Sequence, residues 1–428
     1  MIRKNNTCAF IKRPLRFYLP VKLPGFITVS IIILFISGCS TNPVTQIAPN
    51  PDTERAEVTE KSKDIFIFYD GTANNWSSRT NVRRLFEIIS VAENPEHLTI
   101  YMDGVGSSST PITGSALGYG MKPRILEGYK FLTRYYRPGY RVFVFGFSRG
   151  AFQARALAGM VAYNGIPRID RDHVFSEADL KRLNSQADSI WKLSKDKYDL
   201  SDEEWGKWNS GSLPPFAGEI NRILEIETTP IPIEFLGIWD TVPGSSFKEY
   251  NLFKECPDGK KGDRYKIQPY PNIGEIAHAV SLDEKRSKFR PVLVHPPIDP
   301  ARTELHQVWF PGAHADVGGG YSDSNDLAGI SLNWMLQLLE KFDLFDGRLP
   351  QVYSDPLGLA HWSIGDKPGN TGSKEEHRPV PAGSVFHPSV SERMGNQSVP
   401  IRKNKKVVKE KYRGLNWTWL NFECPEKS

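Results

Sequence analysis

The stretch Phe143-Val-Phe-Gly-Phe-Ser-Arg-Gly-Ala-Phe152 constrains this chain more than any other. Ser148 stands between Gly146 and Gly150; an apolar run, Arg141–Phe145, leads in, and a run rich in small residues, Ala151–Met160, leads out. Such a pattern reads as a buried strand feeding a helix. The glycines allow a tight turn and a close approach of the flanking backbones. A serine at that turn is held above the end of a sheet with its hydroxyl exposed to chemistry. The pentapeptide alone is a weak signal, and its plain alternative is a tight turn carrying an ordinary serine. The strand before it and the helix after it give it weight.

The flanking segments repeat the same alternation. Asp64–Tyr69 is a short continuous apolar run, as expected of a strand buried on both faces. Asn81–Val91 has helical spacing, His97–Met102 reads as a strand, Ile125–Tyr136 as a helix stopped by Pro138 and Gly139, and 141–145 as the next strand. This βαβαβ order predicts a doubly wound, mostly parallel sheet with helices on both faces. Further on, Ile233–Trp239 reads as a strand, Ile273–Val280 as a helix, Arg290–Val294 and Glu304–Phe310 as strands, and Leu327–Glu340 as an amphipathic helix. Residues 166–230, polar and carrying Trp191, Trp205 and Trp208, read as a helical insertion or lid. Residues 244–272 read as a loop and 341–428 as an irregular C-terminal part.

A serine hydroxyl needs a base, and the base needs an orienting carboxylate. Two segments supply them in the chain order this class of sheet uses. Phe235–Asp240 ends a strand in Asp240, and Val308–His314 ends a later strand in His314. His387, after the apolar pair Val385–Phe386, is the alternative base. His278 is better read as a satisfied core histidine, and His306 as structural. The oxyanion formed by attack on an ester needs preorganised N–H donors. The Arg149 amide is one candidate, and Gly71 or Thr72, in the turn Tyr69–Asn75, is the other. Asp70 and Asp103 are candidate supporting residues; the plain reading of Asp70 is an Asx-turn residue. Asp-Gly-Thr after a strand also invites a phosphatase reading, but the nucleophile position two residues before Asp70 is Phe68.

The N-terminus reads as a leader. Arg3, Lys4, Lys12, Arg13, Arg16 and Lys22 precede the apolar run Phe26–Ile36, which is short of the ~20 residues a spanning helix needs. It ends in Ile36-Ser-Gly-Cys39, which resembles the lipobox of bacterial lipoproteins. That resemblance implies cleavage after residue 38 and acylation of Cys39; residues 39–62, with Asn42-Pro43, Pro49-Asn-Pro51 and scattered charges, read as a polar tether, and 63–428 as the folded domain that carries the serine. It also implies a lipid-anchored envelope location, and Ser40 rather than Asp after the cysteine favours, by analogy with such lipoproteins, the outer membrane facing the periplasm. The chain carries 54 Lys/Arg and 49 Asp/Glu. Six of the bases and none of the acids lie in the leader, so the remainder is near neutral and a nucleic-acid partner is not indicated. The basic run Arg402–Arg413 is compatible with anionic lipid headgroups, although a solvated strand is the more ordinary reading. Cys256 and Cys424 could pair outside the cytosol, but nothing in the sequence fixes their geometry. No metal-ligand spacing and no cofactor fingerprint is recognised.

Taken jointly, Phe68–Asn75, Tyr101–Gly106, Gly146–Phe152, Gly237–Val242, Ala277–Glu284 and Phe310–Tyr321 resemble the bacterial α/β-hydrolase family that includes type VI secretion phospholipase effectors. The resemblance implies an α/β-hydrolase-like fold, a triad of Ser148, Asp240 and His314, and a membrane lipid ester as substrate. The chain departs from it in carrying Ala73 where the family often has glycine, and in its lipoprotein-type leader. The competing expectation is a non-catalytic envelope lipoprotein that uses a hydrolase scaffold for binding.

Overall fold

Alternation along each strand builds the core. In a computed structural model, the described residues are 45–48, 63–72, 74, 77–91, 97–104, 120–170, 173–194, 214–243, 267–297, 299–364, 375–412 and 419–420. The leader, all four cysteines, Trp205 and Trp208 lie outside them. Eight strands form the main sheet: β1 (Thr45–Ala48), β2 (Asp64–Tyr69), β3 (His97–Met102), β4 (Arg141–Phe147), β5 (Ile233–Trp239), β6 (Ile273–Ser281), β7 (Glu304–Phe310) and β8 (Val385–Phe386). Their order is β1-β3-β2-β4-β5-β6-β7-β8. Every pairing is parallel except that of β1 with β3. The sheet is thus the doubly wound, mostly parallel one expected. The surprise is β1, which takes residues from the stretch read as a tether and adds them as an antiparallel edge.

Ile65, Ile67 and Tyr69 of β2 face one side with Val142, Val144, Leu236 and Ile238. There they meet α2 (Met121–Tyr135), α3 (Arg149–Asn164), α4 (Glu177–Ser194) and α5 (Ala217–Leu224). Phe66 and Phe68 face the other side with Phe143, Phe145 and Phe235, against α1 (Asn81–Val91) and α7 (Asp326–Leu339). The short helix α6 (His314–Gly318) precedes α7. Phe66 stacks on its register partner Phe143 at 4.9 Å, and Phe68 on Phe145 at 5.2 Å. Phe68 is therefore a rung of an aromatic ladder, consistent with rejecting it as a phosphatase position. Each fully buried side chain of this kind stabilises by about 1.5–3 kcal/mol. An exposed ion pair such as Arg168–Glu227 contributes about 0–1 kcal/mol. The two packed faces therefore dominate.

Three sequence expectations need correcting. Residues 273–280 form strand β6 instead of a helix. The strand is paired on both sides and buried on both faces, so its apolar run lacks the alternation that marks a strand. Residues 290–294 are extended but join no sheet; the Val292 N–H donates to the Thr241 carbonyl at 2.8 Å. The C-terminal part is more regular than expected: strands 360–361, 399–403 and 406–410 form a second small sheet, and α8 (Pro388–Gly395) packs Val390 beside Trp309. In the insertion, α4 and α5 are helical as expected, and their apolar residues Ala187, Ile190, Trp191 and Ile220 join the cluster on the α2/α3 face. No helix among the described residues is long and apolar enough to cross a membrane.

Candidate active site

The C-terminal ends of the parallel strands gather the residues singled out from the sequence. Ser148 joins β4 to α3 with φ 59° and ψ −123°, a conformation that non-glycine residues rarely adopt. Such strain persists only where the surroundings over-determine it. Here a Cβ on Gly146 would strike the Gly150 carbonyl, and one on Gly150 would strike the carbonyls of Tyr69 and Asp70. The Ser148 N–H donates to the Trp239 carbonyl at 2.9 Å, and the Ser148 carbonyl accepts from Val242 N–H at 3.2 Å. The turn is thereby clipped to the end of β5, where Asp240 sits.

Asp240, also at positive φ (41°), is wholly buried. Its Oδ2 lies 2.5 Å from His314 Nδ1 and its Oδ1 accepts from Ser281 N–H at 2.9 Å. Arg378 closes the remaining side with Nη1 to Oδ1 at 2.6 Å and Nη2 to Oδ2 at 2.9 Å. Burial alone would raise this carboxyl. The Arg378 charge and the His314 contact overcome it and hold Asp240 well below the usual carboxylate range. An ionised Asp240 only accepts, so His314 Nδ1 carries the proton and Nε2 is left as the acceptor. His314 lies between the rings of Phe147, at 4.6 Å, and Phe289, at 5.1 Å. This burial, assisted by Arg286, lowers its pKa against the pull of Asp240. The base form is accordingly the one present at neutral pH. Activity is expected to hold to mildly acid pH, with the acid limb of kcat/KM below that of an ordinary histidine; a pH–rate profile on a soluble ester checks this.

His387, the alternative base, stands elsewhere. It caps α8, with Nδ1 2.8 Å from Ser389 Oγ, and its ring stacks on Phe310 at 4.8 Å. Asp240 is already engaged by His314. His278 is the buried core histidine expected: Thr241 N–H donates to Nε2 at 3.3 Å, which assigns the proton on Nδ1 to Gln307 Oε1 at 2.9 Å. Burial, with Arg155 nearby, pushes it down to about 3.

The turn after β2 lies beside the elbow, where Arg149 Nε donates to Thr72 Oγ1. The Gly71 N–H, however, is taken by Asp70 Oδ1 at 2.6 Å, so Gly71 is a poor oxyanion donor and Thr72 is the candidate from this turn. Asp70 also accepts from Thr80 Oγ1 at 2.7 Å and Tyr101 Oη at 2.5 Å. Burial, partly offset by those bonds, raises its carboxyl to about 6. It acts on the turn and is not paired with a histidine. The Asp103 carbonyl accepts from Arg124 Nε at 2.7 Å, which anchors the neighbouring end of β3.

Sequence reasoning missed two partners. Arg378 lies in a polar stretch with no period or motif. Glu284 closes the stretch Ala277–Glu284 without a motif of its own; its Oε2 accepts from His314 N–H at 3.2 Å, and its carboxylate pairs with Arg286 Nε at 2.7 Å. Burial alone would raise Glu284, but the Arg286 hydrogen bonds and charge lower it from 4.5 to about 2. A depressed carboxyl stabilises the fold above its unfolded pKa, and that stability is lost as pH falls through the folded value. A shift of this size corresponds to about 3 kcal/mol. Unfolding free energy from urea titrations is expected to fall by this order between about pH 5 and pH 2.

One group among the described residues has the composition of a metal site. Glu275, Glu304 and His306 place ligand atoms within 4.8 Å of one another. The Lys341 ammonium already pairs with both carboxylates, and the group lies at the starts of β6 and β7, at the opposite end from the elbow.

A doubly wound parallel sheet with a strained serine between β4 and α3 defines an α/β-hydrolase-like domain. The chain belongs to the family of type VI secretion phospholipase effectors with a Tle1-like catalytic domain, whose family model matches residues 63–338. Uncharacterized protein YEL023C of Saccharomyces cerevisiae is 27% identical over 257 residues, a match covering 56% of this chain and 33% of that relative. The chain thus spans about a third of that relative's length. Among solved structures, the Tle1 effector bound to the VgrG spike is 16% identical with a TM-score of 0.32, covering 65% of this chain and 57% of the other. The butyrate-bound esterase Est2 of Thermogutta terrifontis is 12% identical with a TM-score of 0.34, covering 71% and 91%.

Proposed function

We propose that this protein is a serine hydrolase that cleaves carboxylic ester bonds of lipids, a phospholipase or lipid esterase of the bacterial envelope. The observation that carries the reading is the 2.5 Å contact between Asp240 and His314, beside a serine held at positive φ. Ser148 Oγ attacks the acyl carbon while His314 Nε2 takes its proton. Asp240 stabilises the imidazolium so formed. The amides of Arg149 and Thr72 receive the oxyanion. Collapse expels the alcohol, protonated by His314, and leaves an acyl-enzyme. Water, deprotonated by the same base, then releases the fatty acid. Membership of a phospholipase effector family supports a lipid as the acyl donor.

In this reading Cys39 carries the lipid anchor, and the substrate lies in the membrane to which the protein is tethered. Neither nucleic acid nor a metal takes part. The test is labelling of purified protein by a fluorophosphonate probe. Covalent labelling of the native protein is expected, and none of Ser148→Ala. A folded native protein that stays unlabelled would instead support the non-catalytic scaffold.

A further inference from the structure

The loop that carries the candidate base is held by its backbone. Gly312, Ala313 and His314 are consecutive, and each gives its N–H to a different carboxyl group. Gly312 N–H donates to Asp283 Oδ2 at 2.7 Å, Ala313 N–H to Asp316 Oδ2 at 2.9 Å and His314 N–H to Glu284 Oε2 at 3.2 Å. Gly312 has φ 102°, and a Cβ there would strike the Asp316 side chain. Ser281 Oγ adds a bond to the Gly312 carbonyl at 2.8 Å. The helix that His314 opens, α6, has five residues, too few to be stable by itself. Its place is therefore set by these bonds.

Each of the three carboxyl groups is held in turn by a residue of the C-terminal part. Asp283 Oδ2 accepts from Tyr412 Oη at 2.7 Å. Asp316 Oδ1 lies 2.6 Å from His361 Nδ1, and Asp316 Oδ2 accepts from the His361 N–H at 2.9 Å. The other ring nitrogen of His361 faces Asp323 at 3.1 Å. Glu284, besides its pairing with Arg286, accepts from Ser363 Oγ at 2.7 Å. Glu284, Asp316, His361, Ser363 and Tyr412 are all buried, so water does not compete for these bonds. Arg378, from the same part of the chain, holds Asp240. Ring and backbone of His314 thus both rest on residues beyond 338, where the family-matched stretch ends.

We propose that the C-terminal part is the positioning half of the active site: His361, Ser363 and Tyr412 fix the three carboxyl groups that hold Gly312, Ala313 and His314, and so keep the His314 ring in line with Ser148. The proposal rests on the hydrolase reading above and adds to it positioning residues outside the matched family domain. A base displaced by a fraction of an ångström loses rate while the substrate binds as before. The signature of this role is therefore a fall in kcat at constant KM.

The decisive variant is Tyr412→Phe. It removes one hydroxyl and keeps the ring beside Arg393, 5.3 Å away, so the fold is expected to survive. Its kcat on p-nitrophenyl butyrate is expected to fall about tenfold with KM unaltered. His361→Leu should lose more, and His361→Asn, which keeps a donor where Nδ1 stands, should recover part of that loss. Ser389→Ala strips a hydrogen bond from His387 in the same part of the chain without touching the clamp, and should leave kcat unaltered. A second readout needs no substrate. The Nδ1 proton that His314 shares with Asp240 is expected to give a low-field proton NMR signal, absent in His314→Gln and broadened in Tyr412→Phe. A broadened signal in a protein whose native form hydrolyses no ester would count against the hydrolase reading alone. An unaltered signal in folded Tyr412→Phe, a change in KM in place of kcat, or an equal loss in Ser389→Ala would each overturn the positioning role.

Discussion

Arg378→Met is expected to cost about 3–5 kcal/mol of stability, the range for stripping the partner from a buried charge. Side-chain exposure is 3% at Arg378 and 0% at Asp240, so water cannot replace the guanidinium. Against a total stability of about 5–15 kcal/mol, a loss of this size moves a denaturant midpoint far enough to be unmistakable. The sign of the accompanying titration is fixed as well. Asp240 is held down by Arg378 before any other group, so its pKa rises when the cation is removed. A rise brings the loss of the His314 contact toward the working range, and activity should fall at mildly acid pH before it falls at neutral pH. Arg378→Lys keeps the charge without the paired N–H groups and is expected to lie between the two. The double variant Asp240→Asn with Arg378→Met removes both charges and should recover part of the lost stability. A cost below about 1 kcal/mol for Arg378→Met would place the pair among ordinary surface ion pairs and remove its significance.

The largest effect on turnover is expected at Ser148 and His314. Either residue changed to Ala should lower kcat on a lipid ester by about 10⁵–10⁶, and the double variant should lose little more, because the two act as one unit. Asp240→Asn should cost about 10⁴ through the wrong imidazole tautomer. The measurement is single-turnover and steady-state kinetics on purified protein, with circular dichroism to show that each variant folds. Additive losses, or residual activity within tenfold of native in Ser148→Ala, would place the nucleophile elsewhere.

Local pattern made much of this legible. The elbow, Asp240 just past a strand end, and most of the alternation of strands and helices are short-range signals; His314, expected to end a strand, instead opens α6 four residues after β7. β6 reads as a helix from sequence because a strand buried on both faces shows no alternation, and its alanines suit a helix equally well. Other failures have a different cause. Arg378 reaches Asp240 across 138 positions of sequence, and Glu284 reaches the backbone of His314 from the end of the neighbouring strand. No periodicity encodes such contacts, because they depend on two segments arriving at one place. Gly71 is a poor oxyanion donor for a still more local reason: its N–H already donates to the carboxylate of the residue before it.

The position of Arg378 also bears on the order in which the molecule is made. A growing chain that has reached residue 338 contains the whole family-matched stretch, with Ser148, Asp240 and His314 already present. It does not yet contain the cation that lets Asp240 stay ionised in its dry site. Until the segment around residue 378 has left the ribosome and docked, the acid of the couple has little reason to remain buried, and the histidine has no fixed tautomer. The couple is thereby kept from assembling until residue 378 has been made.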